Sequence, residues 1–166
     1  MYKSFTDGGS TTDTSTTKEV ELGTLQVVDG EGGPVTWVYV YNDHASDHWF
    51  NGAVIVREAV GSATHAAGKG MAFDGILSGG TLHNDQILGV AQGVIEDGEY
   101  GWIVCKGVCT VKGDGSVAAG EQIVSHTTGL ADTATSAEID DSKGLGIALT
   151  ADDAVTALMT AIIDVM

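Results

Sequence analysis

The clearest alternation in the chain is Val35-Thr-Trp-Val-Tyr-Val-Tyr41. Successive side chains of a strand point to opposite faces, so Val35, Trp37, Tyr39 and Tyr41 share one face and Val38 and Val40 the other. Both faces are largely apolar, which predicts a strand covered by protein on each side. Val20-Glu-Leu-Gly-Thr-Leu-Gln-Val-Val28 alternates more loosely and stops at the breaker Asp29-Gly-Glu-Gly-Gly-Pro34. Further strands are predicted at Ala53-Val-Ile-Val-Arg57 and over residues 85 to 95, where Glu96-Asp-Gly-Glu99 turns the chain back. The run Gly98-Glu-Tyr-Gly-Trp-Ile-Val-Cys-Lys-Gly-Val-Cys-Thr-Val111 is apolar and β-branched, with Gly107 as its interruption. A turn at Lys112-Gly-Asp-Gly-Ser116 and the run Val117-Ala-Ala-Gly-Glu-Gln-Ile-Val124 complete what reads as a β-hairpin module.

The remaining pattern is less regular. Residues 59 to 81 carry many small residues and glycines and predict long loops, and residues 129 to 142 form a polar Thr/Ala/Asp loop. Lys143-Gly-Leu-Gly-Ile-Ala-Leu-Thr150 predicts another strand, its glycines marking close backbone approach or a bend. Thr150-Ala-Asp-Asp153 has the look of a helix N-cap with acids in its first turn. Val155, Leu158, Met159, Ile162 and Met166 then fit a helical stripe, while Leu158 to Val165 equally fits a terminal strand. The expectation is a short helical turn followed by a strand. The pattern as a whole predicts a mainly β fold, a compact antiparallel β-sandwich or barrel with long Gly-rich loops.

Composition sharpens this picture. The chain has 166 residues with 24 Gly and 1 Pro. That many glycines without a collagen period mean many tight turns and short strands. Residues 1 to 18 are nearly all Ser, Thr, Gly and Asp, with Tyr2 and Phe5 as the large apolar side chains. Such a segment cannot offset its own ordering entropy, so it is either a disordered tail or an arm that folds on a neighbour with Tyr2 and Phe5 as anchors. Residues 19 to 166 then form a single β-rich domain.

The 23 Asp and Glu outweigh the 7 Lys and Arg, for a formal charge of -16. This surface repels phosphate backbones and argues against direct nucleic-acid binding, while making a basic protein partner or bound cations compatible with the chain. No run of about 18 apolar residues exists, so no membrane span is expected. The first residues lack an apolar export segment. Cys105 and Cys109 would lie about 13 Å apart on one strand, beyond disulfide reach, which predicts buried free thiols and a reducing compartment.

Candidate chemistry is sparse. His44 and His48, flanked by Asp43 and Asp47, would share a face at i, i+4 on a helix, but they sit in a polar link between strands and lack the Glu of the metalloprotease motif. A solvated loop is the simpler reading. The Cys105–Cys109 spacing does not fit a CxxC motif, and His65, His83 and His126 have no sequence partner that suggests a triad. Gly113-Asp-Gly115 lacks the ordered oxygen series of a calcium loop, so turn chemistry accounts for it. No Walker loop, GxSxG elbow or helix-opening GxGxxG appears. No catalytic residue, cofactor or metal ligand is therefore assigned, and the expected reading is not an enzyme.

Three segments together resemble the small β-rich head decoration, or capsid cement, proteins of tailed bacteriophages. They are Gly98-Glu-Tyr-Gly-Trp-Ile-Val104 with Gly107, Val117-Ala-Ala-Gly-Glu-Gln-Ile123, and Gly144-Leu-Gly-Ile-Ala-Leu-Thr150. The likeness spans residues 88 to 150, under half of the chain, and its motifs are turns and strands. Gly98, Gly107 and Gly120 are its turn or bulge positions. The resemblance implies a non-enzymatic virion protein made in the host cytoplasm. It would sit on the outer capsid surface, commonly as a homotrimer, and staple neighbouring subunits of the major capsid protein. Tyr2 and Phe5 would be the arm's anchors. Exposed patches around Trp37, Tyr39, Tyr41, Trp49 and Phe50 are candidates for subunit contact because aromatics often dominate interfaces. For Trp37 and Trp102 a core role is preferred. One alternative is a carbohydrate- or host-surface-binding β-module of a virion, with Trp49 and Tyr41 stacking on sugars; another is a small β-barrel enzyme of unrecognised type, which would need a deep pocket gathering His44, His48 or His126 with carboxylates.

Overall fold

In a computed structural model, residues 13–43, 47–58, 72–82 and 84–165 are described. The chain is mainly β. Its strands are β1 (Leu25–Gly30), β2 (Gly33–Asn42), β3 (Val54–Arg57), β4 (Asp74–Leu77), β5 (Ile87–Ala91), β6 (Tyr100–Lys112), β7 (Gln122–Ser125), β8 (Ala131–Thr133), β9 (Gly144–Ala148) and β10 (Leu158–Asp164). Among the described residues one short α-helix, α1, spans Ser136–Asp140. The ten strands form one sheet in the order β1-β2-β4-β3-β5-β6-β10-β9-β7-β8, and β2 also pairs with β6. That extra pairing closes β2, β4, β3, β5 and β6 into a ring, and β10, β9, β7 and β8 extend from β6 as a wing. Register shifts opposite Cys105, Leu88 and Leu145 mark bulges, which bend strands and help so small a sheet curl.

The apolar runs explain the ring. β2 is buried on both faces from Trp37 onward, as its two apolar stripes require. β6 runs antiparallel to β2, pairing Tyr39 with Trp102 and Tyr41 with Tyr100. Val38, Val40, Ile55, Leu88 and Ile103 have no solvent exposure. In the wing, Ile123, Leu145, Met159 and Ile163 continue the same buried cluster. Among the described residues no helix is long and apolar enough to cross a membrane.

Several expectations are corrected. The sheet is not wholly antiparallel, because β2 and β4 run parallel through Tyr41↔Asp74 and Asn42↔Gly75. β6 and β7 do not form a hairpin; β7 pairs with β8 and β9, and β10 occupies the second half of β6. No helical turn forms at residues 150–157. The amide of Thr150 donates to Thr160 O (3.2 Å), and the amide of Thr160 donates to Thr150 Oγ1 (2.9 Å). Asp152 accepts from the amides of Gly115 (2.6 Å) and Val117 (2.7 Å). Asp152 serves a loop across the molecule, not a helix end. The terminal segment is the strand β10, with Met159, Ala161 and Ile163 inward and Leu158, Ile162 and Asp164 outward. The helix lies instead in the polar 129–142 region, started by a capping box between Thr135 and Glu138.

Candidate functional site

Alternation along β10 leaves a distinct outer face. Ile162 stands directly opposite Ile147 of β9, and Leu149 N donates to Thr160 O (2.7 Å), which continues that register. Side chains opposite one another in an antiparallel pair share a face. Ile147, Leu149, Leu158 and Ile162 therefore lie side by side and are 51, 45, 49 and 46% exposed. Gly146 lets the two strands approach, because a Cβ there would run into the carbonyl of Ile162. On the other side of β10, Leu158 faces Lys112 of β6. The Lys112 ammonium lies 4.4 Å from the centre of the half-buried Phe50 ring.

Tyr41 and Trp49 do not form an exposed patch. Trp49 has no solvent exposure and Tyr41 only 6%. The Trp49 backbone is paired with Ile95 through two hydrogen bonds (2.9 and 3.2 Å), which draws the ring inward over Gly75. Tyr41 packs against Tyr100 with ring centres 4.8 Å apart, and Tyr39 lies 5.1 Å from Trp102. The segment before β1 is tied to two of these residues. Ser15 and Tyr100 exchange backbone hydrogen bonds of 3.1 and 2.8 Å, and Glu19 N donates to the Tyr39 hydroxyl (3.2 Å). Tyr2, Phe5, His44, His65 and His83 lie outside the described residues. His48 is exposed.

Gly98, Gly107 and Gly120 have φ of 79°, 110° and 88°. Gly107 follows the bulge at Cys105, and a Cβ there would lie 2.8 Å from Pro34 O. The free thiols of Cys105 and Cys109 are buried. Burial pushes Cys105 up to about 11 and Cys109 up to about 12 from an ordinary 9.0. Neither thiol has the depressed pKa that nucleophilic chemistry requires.

A second cluster was not legible in the sequence. Gly113 at the end of β6 bridges Ala131 in parallel, and β7 pairs with β8. Together these bring Asp114, His126 and Asp132 to one place, with their candidate donor atoms within 4.8 Å of one another. All three are half-buried. Residues 12 and 6 positions apart carry no helical or strand periodicity, so no linear signal could have joined them.

No protein-family model matches the chain, and no curated protein matches its sequence. Among solved structures it is similar to the head fiber gp8.5 N base of bacteriophage phi29, with a TM-score of 0.55 and 10% identity over 79% of this chain and 95% of that one. At this identity what the two chains share is the fold.

Proposed function

We propose that this chain is a non-enzymatic structural protein of a tailed-phage virion that decorates the outer head surface and bridges neighbouring subunits of the major capsid protein. The observation that carries the reading is the aliphatic face of Ile147, Leu149, Leu158 and Ile162 on a chain of net charge -16. A surface so acidic has no solubility need for clustered aliphatics, and contiguous exposed apolar side chains commonly mark contact sites. The fold shared with a phage head fiber base supports the same reading.

Magnitudes decide how attachment works. Covering four half-exposed aliphatic side chains supplies roughly 1 kcal/mol each. Association costs at least about 4 kcal/mol in lost rigid-body freedom. The face alone therefore breaks even, and firm attachment calls for additional contacts. We assign these to the N-terminal arm, with Tyr2 and Phe5 as anchors, and to a homotrimer that presents three copies at once. The sugar-binding alternative loses its platform, since Trp49 and Tyr41 are core residues.

The test adds purified protein to expanded, undecorated phage shells. Saturable binding at a fixed copy number with a raised shell melting temperature is expected. Absence of binding across all salt concentrations overturns the proposal.

A further inference from the structure

We propose that Asp114, His126 and Asp132 form a binding site for a divalent transition-metal ion of the zinc class. The ligand set is mixed, one imidazole and two carboxylates, delivered by three separate segments. These are the turn leaving β6, the link from β7 to β8, and β8 itself. Imidazole nitrogen and carboxylate oxygen are the donors that zinc takes at about 2.0–2.2 Å.

Two details of geometry point to a cation. Ser116 Oγ lies 2.7 Å from Asp114 Oδ1 and 2.9 Å from Asp132 Oδ1. A hydroxyl has a single proton, so it can donate to one of these carboxylates and must face the other with a lone pair. Positive charge between the two carboxylates resolves that conflict. Among the described residues neither carboxylate is paired with a Lys or Arg. The second detail is the His126 Nε2–Asp132 Oδ2 separation of 4.0 Å, too long for a hydrogen bond. Donors of a tetrahedral zinc ion lie about 3.4 Å apart, so this pair is within about 0.6 Å of sharing one.

The scaffold is already organised. The Oδ1 atoms accept backbone amides, Asp114 from Ser116 N (3.1 Å) and Asp132 from Thr133 N (2.6 Å). This orients both carboxylates and leaves their Oδ2 atoms available. Asp114 N donates to Ala131 O (3.0 Å), which fixes the turn against β8. The donor set spans at most 4.8 Å. Closing onto a tetrahedral ion, whose donors lie about 3.4 Å apart, therefore needs a contraction of up to about 1.4 Å. The bound ion would tie the exit of β6 to the β7–β8 hairpin, and this role is independent of capsid attachment.

The test titrates the EDTA-stripped full-length protein with zinc chloride, and separately with calcium chloride, by isothermal calorimetry near neutral pH. A one-equivalent zinc site is expected whose affinity falls by about tenfold or more in His126→Ala and in the near-isosteric Asp132→Asn. The His44→Ala/His48→Ala double variant should keep it, which separates this site from the other histidines. At a hundredfold excess over Kd, zinc should raise Tm by about 5–10 °C in the parent and much less in the two site variants. Equal zinc affinity in the parent, His126→Ala and Asp132→Asn overturns the proposal. So does an absence of zinc binding, or calcium binding as tight as zinc that survives His126→Ala. If one variant fails to fold, amide chemical-shift changes of the parent confined to residues 113–116 and 124–133 decide the question.

Discussion

Gly107 is the residue at which backbone conformation and packing bind most tightly together. Its φ of 110° is one that side chains with a Cβ rarely adopt, and the added atom would press on Pro34 O and Val35 Cα. Gly107→Val should destabilise the fold by about 2–4 kcal/mol, seen as a lower midpoint in urea unfolding; an unchanged midpoint would remove Gly107 from the account of the bulge. The two thiols make a prediction about pH. Their folded-state values, about 11 and about 12, lie above the ordinary 9.0, so folding favours the protonated thiol. This stabilisation is complete below pH 9 and is lost as pH rises through the window from 9 to 12, where the unfolded chain ionises first. Burial raises the Tyr39 phenol too and adds to the loss in the same direction. Urea midpoints should therefore fall steadily above pH 9, and less steeply in a Cys105→Ala/Cys109→Ala variant. At neutral pH a thiol reagent should label the native protein far more slowly than the unfolded one.

At the level of elements, strands were legible where burial is two-sided or strictly alternating, as in β2, β3 and β6. They were harder to see where the signal is weak. β4 is four residues long and sits in the stretch that composition marks as loop. α1 carried a readable mark in Thr135-Ser-Ala-Glu138, the pattern of a capping box, yet the surrounding Thr, Ala and Asp made the region look like plain loop. The Thr150-Ala-Asp-Asp153 segment shows the opposite error. A cap motif is a local preference, and here tertiary partners claimed the same side chains. Asp152 is 5% exposed and holds the amides of Gly115 and Val117. Asp152→Ala should cost about 2–3 kcal/mol, because the buried amide of Val117 and the part-buried amide of Gly115 lose a charged acceptor at once. Hydrogen exchange should speed up at Gly115 and Val117 before it changes in β2, and unaltered exchange there would contradict this role.

For the whole molecule, the proposed capsid attachment can be tested segment by segment. Ser15 is bound to Tyr100, so the chain belongs to the folded body from this point on, and the proposed arm is confined to the residues before it. Deleting residues 1–12 should leave the melting temperature unchanged and weaken shell binding. Deleting 1–17 should also lower Tm, since it removes the two backbone hydrogen bonds between Ser15 and Tyr100. Equal shell affinity for the parent and the 1–12 deletion would remove the arm from the mechanism. Ile147→Asp/Ile162→Lys places opposite charges on facing positions, so the sheet should survive while shell binding and self-association fall. Analytical ultracentrifugation and shell-binding isotherms measure both outcomes.

Local pattern alone was enough for a mainly β chain, strands β2, β3, β5 and β6 of the ring, the buried thiols and the absence of familiar catalytic motifs. These follow from alternation, glycine content and residue type, which act over a few neighbours. Which strands pair, which aromatics face water and which distant acids meet a histidine depended on the tertiary fold. Trp49 lies beside a polar stretch in sequence and in the core in space; β6 gave its second half to β10 and not to β7. Strand pairing is a long-range competition for the same backbone hydrogen bonds, and it is settled by the packing of the whole sheet.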